Sequence, residues 1–241
     1  MRIFILFITL FSSLFALSAQ SIIADMEANT RGDNTYTKMQ MIVQTKRGER
    51  TMKMESFDSG TQKSFIKILY PKKDRGITFL KLNNQMWQYV PRIEKTIKIP
   101  SSMMMQSWMG SDFSNDDLVK ESSLSRDYIK KIVTHVGEIY TIALIPLEEA
   151  SVVWGKIEIE VDTKRKVALR TLFYDEDDLL VRTLIYSEFK HFDDRIVASK
   201  MVMTSVAKPK NMTTILFDDM NFHKRYKSDR FNKRALKKYS R

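Results

Sequence analysis

Three aspartates, Asp112, Asp116 and Asp117, fall within six positions of one another. Carboxylates this close could hold a divalent cation or work as an acid pair. The spacing does not suit a calcium loop, which needs alternating acids, a central glycine and a distant glutamate. A helix cap accounts for two of the three. Ser114 fits an N-cap with Asp117 at the reciprocal third position, and Asp116 falls where the helix dipole favours an anion. A second acidic run, Asp175 to Asp178, reads as a solvated hairpin tip.

Other catalytic chemistry is sparsely represented. His135, His191 and His223 are the only histidines, there is no cysteine, and neither HExxH nor H-x-H spacing occurs, so a zinc site is not expected. No G-x-S-x-G, P-loop or G-x-G-x-x-G is present. Carboxylates alone leave a glycosidase open. A hydrolase of envelope polymers using Asp112 or Asp116 is the enzymatic alternative. The primary reading is a binding protein without catalysis or cofactor.

The elements that must position these residues follow from composition and pattern. The chain has 241 residues, 43% hydrophobic and 29% charged, with 40 Lys+Arg against 29 Asp+Glu. This excludes a disordered, collagen-like or disulfide-stapled chain. Arg2, the apolar run Ile3 to Leu17 and the small residues Ala16-Leu17-Ser18-Ala19 read as a secretory signal peptide over residues 1–19, cleaved after Ala19, with an uncleaved membrane anchor as the alternative. The leader lacks the cysteine of a lipoprotein, and an exported chain without cysteine suits a Gram-negative periplasm. His223 to Arg241 holds nine Lys/Arg and one acid, so the high net charge describes a basic C-terminal tail, residues 223–241, and not a nucleic-acid-binding body. That tail, Lys224 to Arg241, could lie on an anionic membrane surface or serve as a disordered solubilising end.

Between leader and tail, residues 20–222 read as one domain. Ser21 is placed to cap a short helix carrying Ile22, Ile23 and Met26. From Thr35 onward the pattern has period two, as in Met39, Met41 and Val43 against Lys38, Gln40 and Gln44. Roughly a dozen such runs follow, separated by turn residues, which predicts an antiparallel all-β sheet. Several runs are apolar on both sides: Met86 and Val90 point one way, Trp87 and Tyr89 the other. Both faces of the sheet must therefore be covered.

Pro100 to Asp127 interrupts the rhythm, as a lid or binding segment would. Ser101 or Ser102 can cap a first helix in which Met104 and Trp108 share a face, ended by Gly110; Ser114 starts a second. Met103, Met104 and Met105 cannot all face inward from one helix, and read as a flexible apolar surface.

Met109-Gly110-Ser111-Asp112-Phe113-Ser114-Asn115-Asp116-Asp117-Leu118 resembles the MGSDF…DL segment of the outer-membrane lipoprotein-sorting family, LolA/LolB-like periplasmic lipoprotein carriers. Pro71 to Leu80, Gln85 to Pro91 and Asp162 to Tyr174 support the resemblance, which spans about Asp33 to Met220. It implies an open antiparallel half-barrel of about 11 strands wrapped around lid helices. It also implies an apolar cavity holding the acyl chains of a lipoprotein or lipid for transfer toward the outer membrane. A cavity arginine that gates opening belongs to the pattern, with no residue here assigned to it. Met39, Met41, Phe79, Trp87 and Tyr89 are the expected cavity residues, covered by Met103, Met104, Met105 and Trp108. The alternative is an accessory subunit that docks onto an inner-membrane exporter without carrying lipid.

Overall fold

The computed structural model describes residues 17–120, 124–150 and 152–241. Each period-two run becomes a strand: β1 (Asn34–Thr45), β2 (Gly48–Ser59), β3 (Lys63–Tyr70), β4 (Thr78–Leu82), β5 (Gln85–Val90), β6 (Lys95–Ile99), β7 (Tyr128–Val136), β8 (Ile139–Pro146), β9 (Lys156–Asp162), β10 (Val167–Tyr174), β11 (Leu180–Phe192), β12 (Arg195–Ser205) and β13 (Met212–Asn221). All 13 join one antiparallel sheet in the order β6-β5-β4-β3-β2-β1-β13-β12-β11-β10-β9-β8-β7. The count exceeds the expected 11 because every run the turn residues delimit pairs separately, the five-residue β4 and β6 included.

That order explains where the lid goes. Every pair of sheet neighbours is consecutive in sequence except β1 and β13, which pair from Tyr36↔Asn221 to Gln44↔Met212. The sheet stays open, with β6 and β7 as its two edges. Pro100 to Asp127 joins those edges, so it has to pass from one side of the sheet to the other. It does so across one face, called inner here.

Helix α1 (Ala19–Thr30) covers the β7–β10 half of that face. Its Ile22, Ile23 and Met26 are buried against Tyr128, Ile142, Leu144 and Ile159. The cap is Ser18 and not Ser21. The Ser21 backbone N–H donates to Ser18 Oγ at 3.0 Å while the Ser18 N–H donates to Ser21 Oγ at 3.2 Å, so Ser21 is the reciprocal partner. At the other end Arg195 of β12 donates to the carbonyls of Ala28 and Arg31, satisfying acceptors the helix leaves free. The expected leader lies largely outside the described residues; cleavage after Ala19 would fall at the first residue of α1.

The lid carries less helix than its capping residues suggest. Ser101–Met103 and Trp108–Gly110 are single 3₁₀ turns, and neither Ser101 nor Ser102 caps a helix. Positive φ at Met109 (50°) and Gly110 (72°) ends any helical run there. Met104 and Trp108 nevertheless face the same inner cluster, with Met41, Met54, Ile68 and Phe79. Helix α2 (Asn115–Lys120) begins as expected. The Ser114 N–H donates to Asp117 Oδ2 at 2.7 Å and the Asp117 N–H to Ser114 Oγ at 3.2 Å. A further turn, α3 (Leu124–Asp127), leads into β7.

The other, outer face is covered too. Helix α4 (Lys233–Lys238), capped by Asn232, buries Ala235 and Leu236 against Phe57, Phe65, Leu80, Trp87 and Tyr89. Tyr226, Phe231 and Tyr239 pack around them. The basic segment, expected either to lie on an anionic surface or to be a disordered end, is laid along the sheet. Its backbone comes so close that a Cβ on Gly76, whose φ is +84°, would sit 2.5 Å from the Ser240 carbonyl oxygen.

Candidate functional site

The two covers differ in how tightly they close. The outer face is filled by the aromatic and aliphatic side chains of the C-terminal segment. The inner face is not filled. Between the sheet, α1 and the lid lies a cavity of about 410 Å³. Its sheet wall includes Met39, Met41, Met54, Ile66, Met203 and Ile215; its other walls include Met26 of α1 and Trp108, Phe113 and Leu118 of the lid.

Of the expected site residues, Met39, Met41 and Trp108 line this space. Phe79 lies one layer back and supports Trp108, ring centroids 5.4 Å apart at 61°. Trp87 and Tyr89 do not face the cavity. They are on the outer face beneath α4, as the alternation of β5 requires once Met86 points inward. Met104 packs inward, whereas Met103 and Met105 are 38% and 50% exposed and so form no part of the wall.

The MGSDF segment acts as a clasp for the lid. Arg50 of β2 donates to the Met109 carbonyl, and a Cβ on Gly110 would press on the Arg50 guanidinium at 3.1 Å. Ser111 Oγ donates to the Trp108 carbonyl at 2.7 Å and accepts from the Phe113 N–H at 3.2 Å, which fixes the turn. The Asp112 N–H donates to Thr213 Oγ1 at 2.9 Å, and that hydroxyl donates back to Asp112 Oδ2 at 2.6 Å. Phe113 then plugs between Leu184 and Met203. The three aspartates do not converge: among the described residues no group of His, Asp and Glu side chains is placed to hold a metal ion. Asp112 serves β13, Asp117 caps α2, and the Asp116 N–H donates to the Met104 carbonyl at 2.7 Å.

The residue most conspicuously absent from the expected set is Arg182 of β11. It is 6% exposed and holds Asp117 through paired hydrogen bonds of 2.8 and 2.9 Å. Nη1 also donates to the Asp112 carbonyl at 3.2 Å. The guanidinium stacks over Trp154 and Phe173, 4.4 and 4.9 Å from the ring centroids. The signal was available: Arg182 shares parity with Leu184 and Tyr186, a charge on the apolar side of a strand. Tyr128, the first residue of β7, which lines the cavity beside α1, was also missed. Burial, with the charges of Asp127 and Asp116, raises its phenol pKa far above the ordinary value.

A family model described as "Uncharacterized protein" matches residues 60–238. No curated protein matches the chain. Among solved structures it is similar to a DUF1329 family protein from Desulfovibrio piger, with 18% identity and a TM-score of 0.82 over 90% of this chain and 97% of that one. It is similar to an outer membrane lipoprotein-sorting protein domain from Vibrio parahaemolyticus, with 23% identity and a TM-score of 0.78 over 90% and 97%. A LolA superfamily protein from Nitrosomonas europaea gives 18% identity and 0.76 over 91% and 100%. At these identities the likeness is one of fold.

Proposed function

The chain belongs to the family matched over residues 60–238 and has the LolA-like fold of outer-membrane lipoprotein-sorting proteins, and from that premise we propose that it is a periplasmic carrier of acyl chains. The apolar cavity of about 410 Å³ beneath a polar-clasped lid carries the reading. Its size falls within the ~300–1,000 Å³ of ordinary ligand sites. Each methylene moved from water into such a space gains ~0.8 kcal/mol, so a sixteen-carbon chain gains on the order of 10 kcal/mol before the cost of immobilising it. No covalent chemistry and no cofactor are needed. Transfer toward the outer membrane then requires an acceptor with a competing apolar site, and a lid that lifts when Asp117 leaves Arg182.

The test is direct. Protein purified from the periplasm is expected to bring acyl species visible by mass spectrometry, and to bind an apolar fluorophore that a fatty acid displaces. Protein that arrives empty and binds no such probe counts against a carrier. N-terminal sequencing of the exported chain checks the leader.

A second reading has its own observation. Residues 223–241 carry nine cations, of which Lys224, Arg230 and Lys233 lie over the outer-face rings of Tyr36, Phe57 and Trp87. That surface suits an anionic membrane, where each Lys or Arg contributes about 1 kcal/mol, or an inner-membrane exporter that the protein serves without carrying lipid. Lys233→Glu with Lys237→Glu reverses two of those charges without altering the buried Ala235 and Leu236. A partner retained from membranes by the wild type but lost in that variant, with no bound lipid in either, would favour docking over carriage.

A further inference from the structure

The inner face of β1–β4 is not uniformly apolar, and the sheet register arranges its change of character in rows. One row across the strands is Met39–Met54–Ile68. The next is Thr37–Ser56–Ile66–Phe79, half polar. The third is Thr35–Asp58–Ser64–Lys81, with no apolar member. Thr35, Thr37, Ser56 and Lys81 are between 4% and 8% exposed, so this is not a solvated rim. Members of all three rows line the one cavity.

Burying such groups beside a hydrocarbon wall is costly unless they are satisfied. A cavity meant for hydrocarbon alone gains nothing from them, whereas ligand sites use a few placed polar groups to fix orientation. The charge at this end has a sign. Two carboxylates, Glu27 and Asp58, border it against three cations, Arg31, Lys63 and Lys81, while Asp116 and Asp117 line the same cavity from the lid, Asp117 already paired with Arg182. The two bordering carboxylates already accept from hydroxyls, Asp58 from Ser56 Oγ at 2.7 Å and Glu27 from Ser125 Oγ. Arg31, Asp58 and Lys81 also interact within the chain, so an incoming anion would join an existing polar network.

We infer that the cavity is a head-and-tail site for an anionic single-chain amphiphile. The hydrocarbon chain lies along Met39, Met41 and Met54, and the anionic group is received at the Ser64–Lys81 end. This rests on the carrier reading and narrows it: the cargo presents a carboxylate or phosphate directly attached to its chain, unlike the neutral ester and amide carbonyls of a protein-bound acyl group.

The experiment is displacement of an apolar fluorophore from the full chain by three sixteen-carbon ligands: hexadecanoate, hexadecyl phosphate and the neutral hexadecan-1-ol. A charge-assisted hydrogen bond predicts displacement by an anion at about tenfold lower concentration than by the alcohol; whichever anion leads tells carboxylate from phosphate. Lys81→Met is expected to reduce that preference to within about twofold, chiefly by weakening displacement by the anions. Ser64→Asp, which places a carboxylate on the row without removing the lysine, is expected to do the same and serves if Lys81→Met does not fold. Equal displacement by alcohol and anions in the wild type, or a preference that survives both substitutions, overturns the head site but leaves an acyl cavity. Failure of all three ligands to displace the probe defeats the carrier reading itself.

Discussion

Arg182 meets Asp117 through two near-parallel hydrogen bonds, 2.8 and 2.9 Å long, and so ties lid helix α2 to strand β11. The same carboxylate caps its own helix through Ser114. One side chain therefore both starts the helix and anchors it, beside the Arg50 and Thr213 contacts that hold the preceding turn.

Breaking that pair is not symmetric. The Arg182 side chain is 8% exposed and Asp117 19%. Asp117→Ala strands the more buried charge and is expected to cost about 3 kcal/mol in urea unfolding. Arg182→Met leaves Asp117 with its Ser114 partners and some water, and is expected to cost less. Amide exchange from Trp108 to Leu118 should accelerate in both variants. Equal exchange in variants and wild type would mean that the ion pair does not hold the lid.

Tryptophan position offers a second test. Trp108 and Trp154 line the cavity, while Trp87 is on the opposite face. A brominated fatty acid is expected to quench fluorescence undiminished in Trp87→Phe and almost not at all in Trp108→Phe/Trp154→Phe. Quenching that follows Trp87 would place the chain outside the cavity. Trp108 Nε1 has no hydrogen-bond partner, so Trp108→Phe loses no bond and is expected to cost about 1 kcal/mol, against about 3–5 kcal/mol for Trp108→Ala.

Strand existence was legible because the alternation of β1, β9 and β12 leaves no other regular structure open, and Gly48 and Gly137 mark turns with positive φ. The requirement that both faces be covered was equally legible from β5. Which cover lay on which face was not. Met86 and Trp87 are equally apolar, and only tertiary pairing decides which one looks at the lid. The Ser101–Gly110 helix failed because capping residues report local preference, whereas the segment is fixed by Arg50 and Thr213 from distant strands. The C-terminal segment was read on its charge alone. Its lysines and arginines obscure a pattern of Tyr226, Phe231, Leu236 and Tyr239, and long basic side chains lie over aromatic rings there. Lys233 Nζ is 4.8 Å from the Trp87 ring and Arg230 Cζ 3.8 Å from that of Phe57.

It follows that the C-terminal segment is structural whatever else it binds. Leu236 is fully buried, and Leu236→Ala is expected to cost about 2–5 kcal/mol. A chain ending at Phe222 should bind a surface-hydrophobicity dye and aggregate, because Phe65, Leu80, Trp87 and Tyr89 lose their cover. Gly76→Ala is expected to destabilise through the same contact, combining a left-handed backbone with a Cβ driven against Ser240. A truncated chain that unfolds at the wild-type midpoint would show that the segment does not contribute to the fold.

Alkaline pH probes the cavity wall through Tyr128. Burial first, and then the charges of Asp127 and Asp116, raise this phenol above its ordinary 10.0. A group whose folded pKa lies above its unfolded value stabilises in full below the unfolded value. That contribution is lost as pH rises toward the folded value, because the unfolded chain releases the proton first. Wild-type stability is therefore expected to fall above pH 10, with a slope of up to ~1.4 kcal/mol per pH unit from this residue. Tyr128→Phe removes that component and should flatten the curve. Tyr226, Tyr36 and Tyr174, raised by burial as well, keep it from becoming level. Parallel curves for variant and wild type between pH 10 and the alkaline unfolding midpoint would show that the Tyr128 phenol is as free to ionise in the fold as in the open chain.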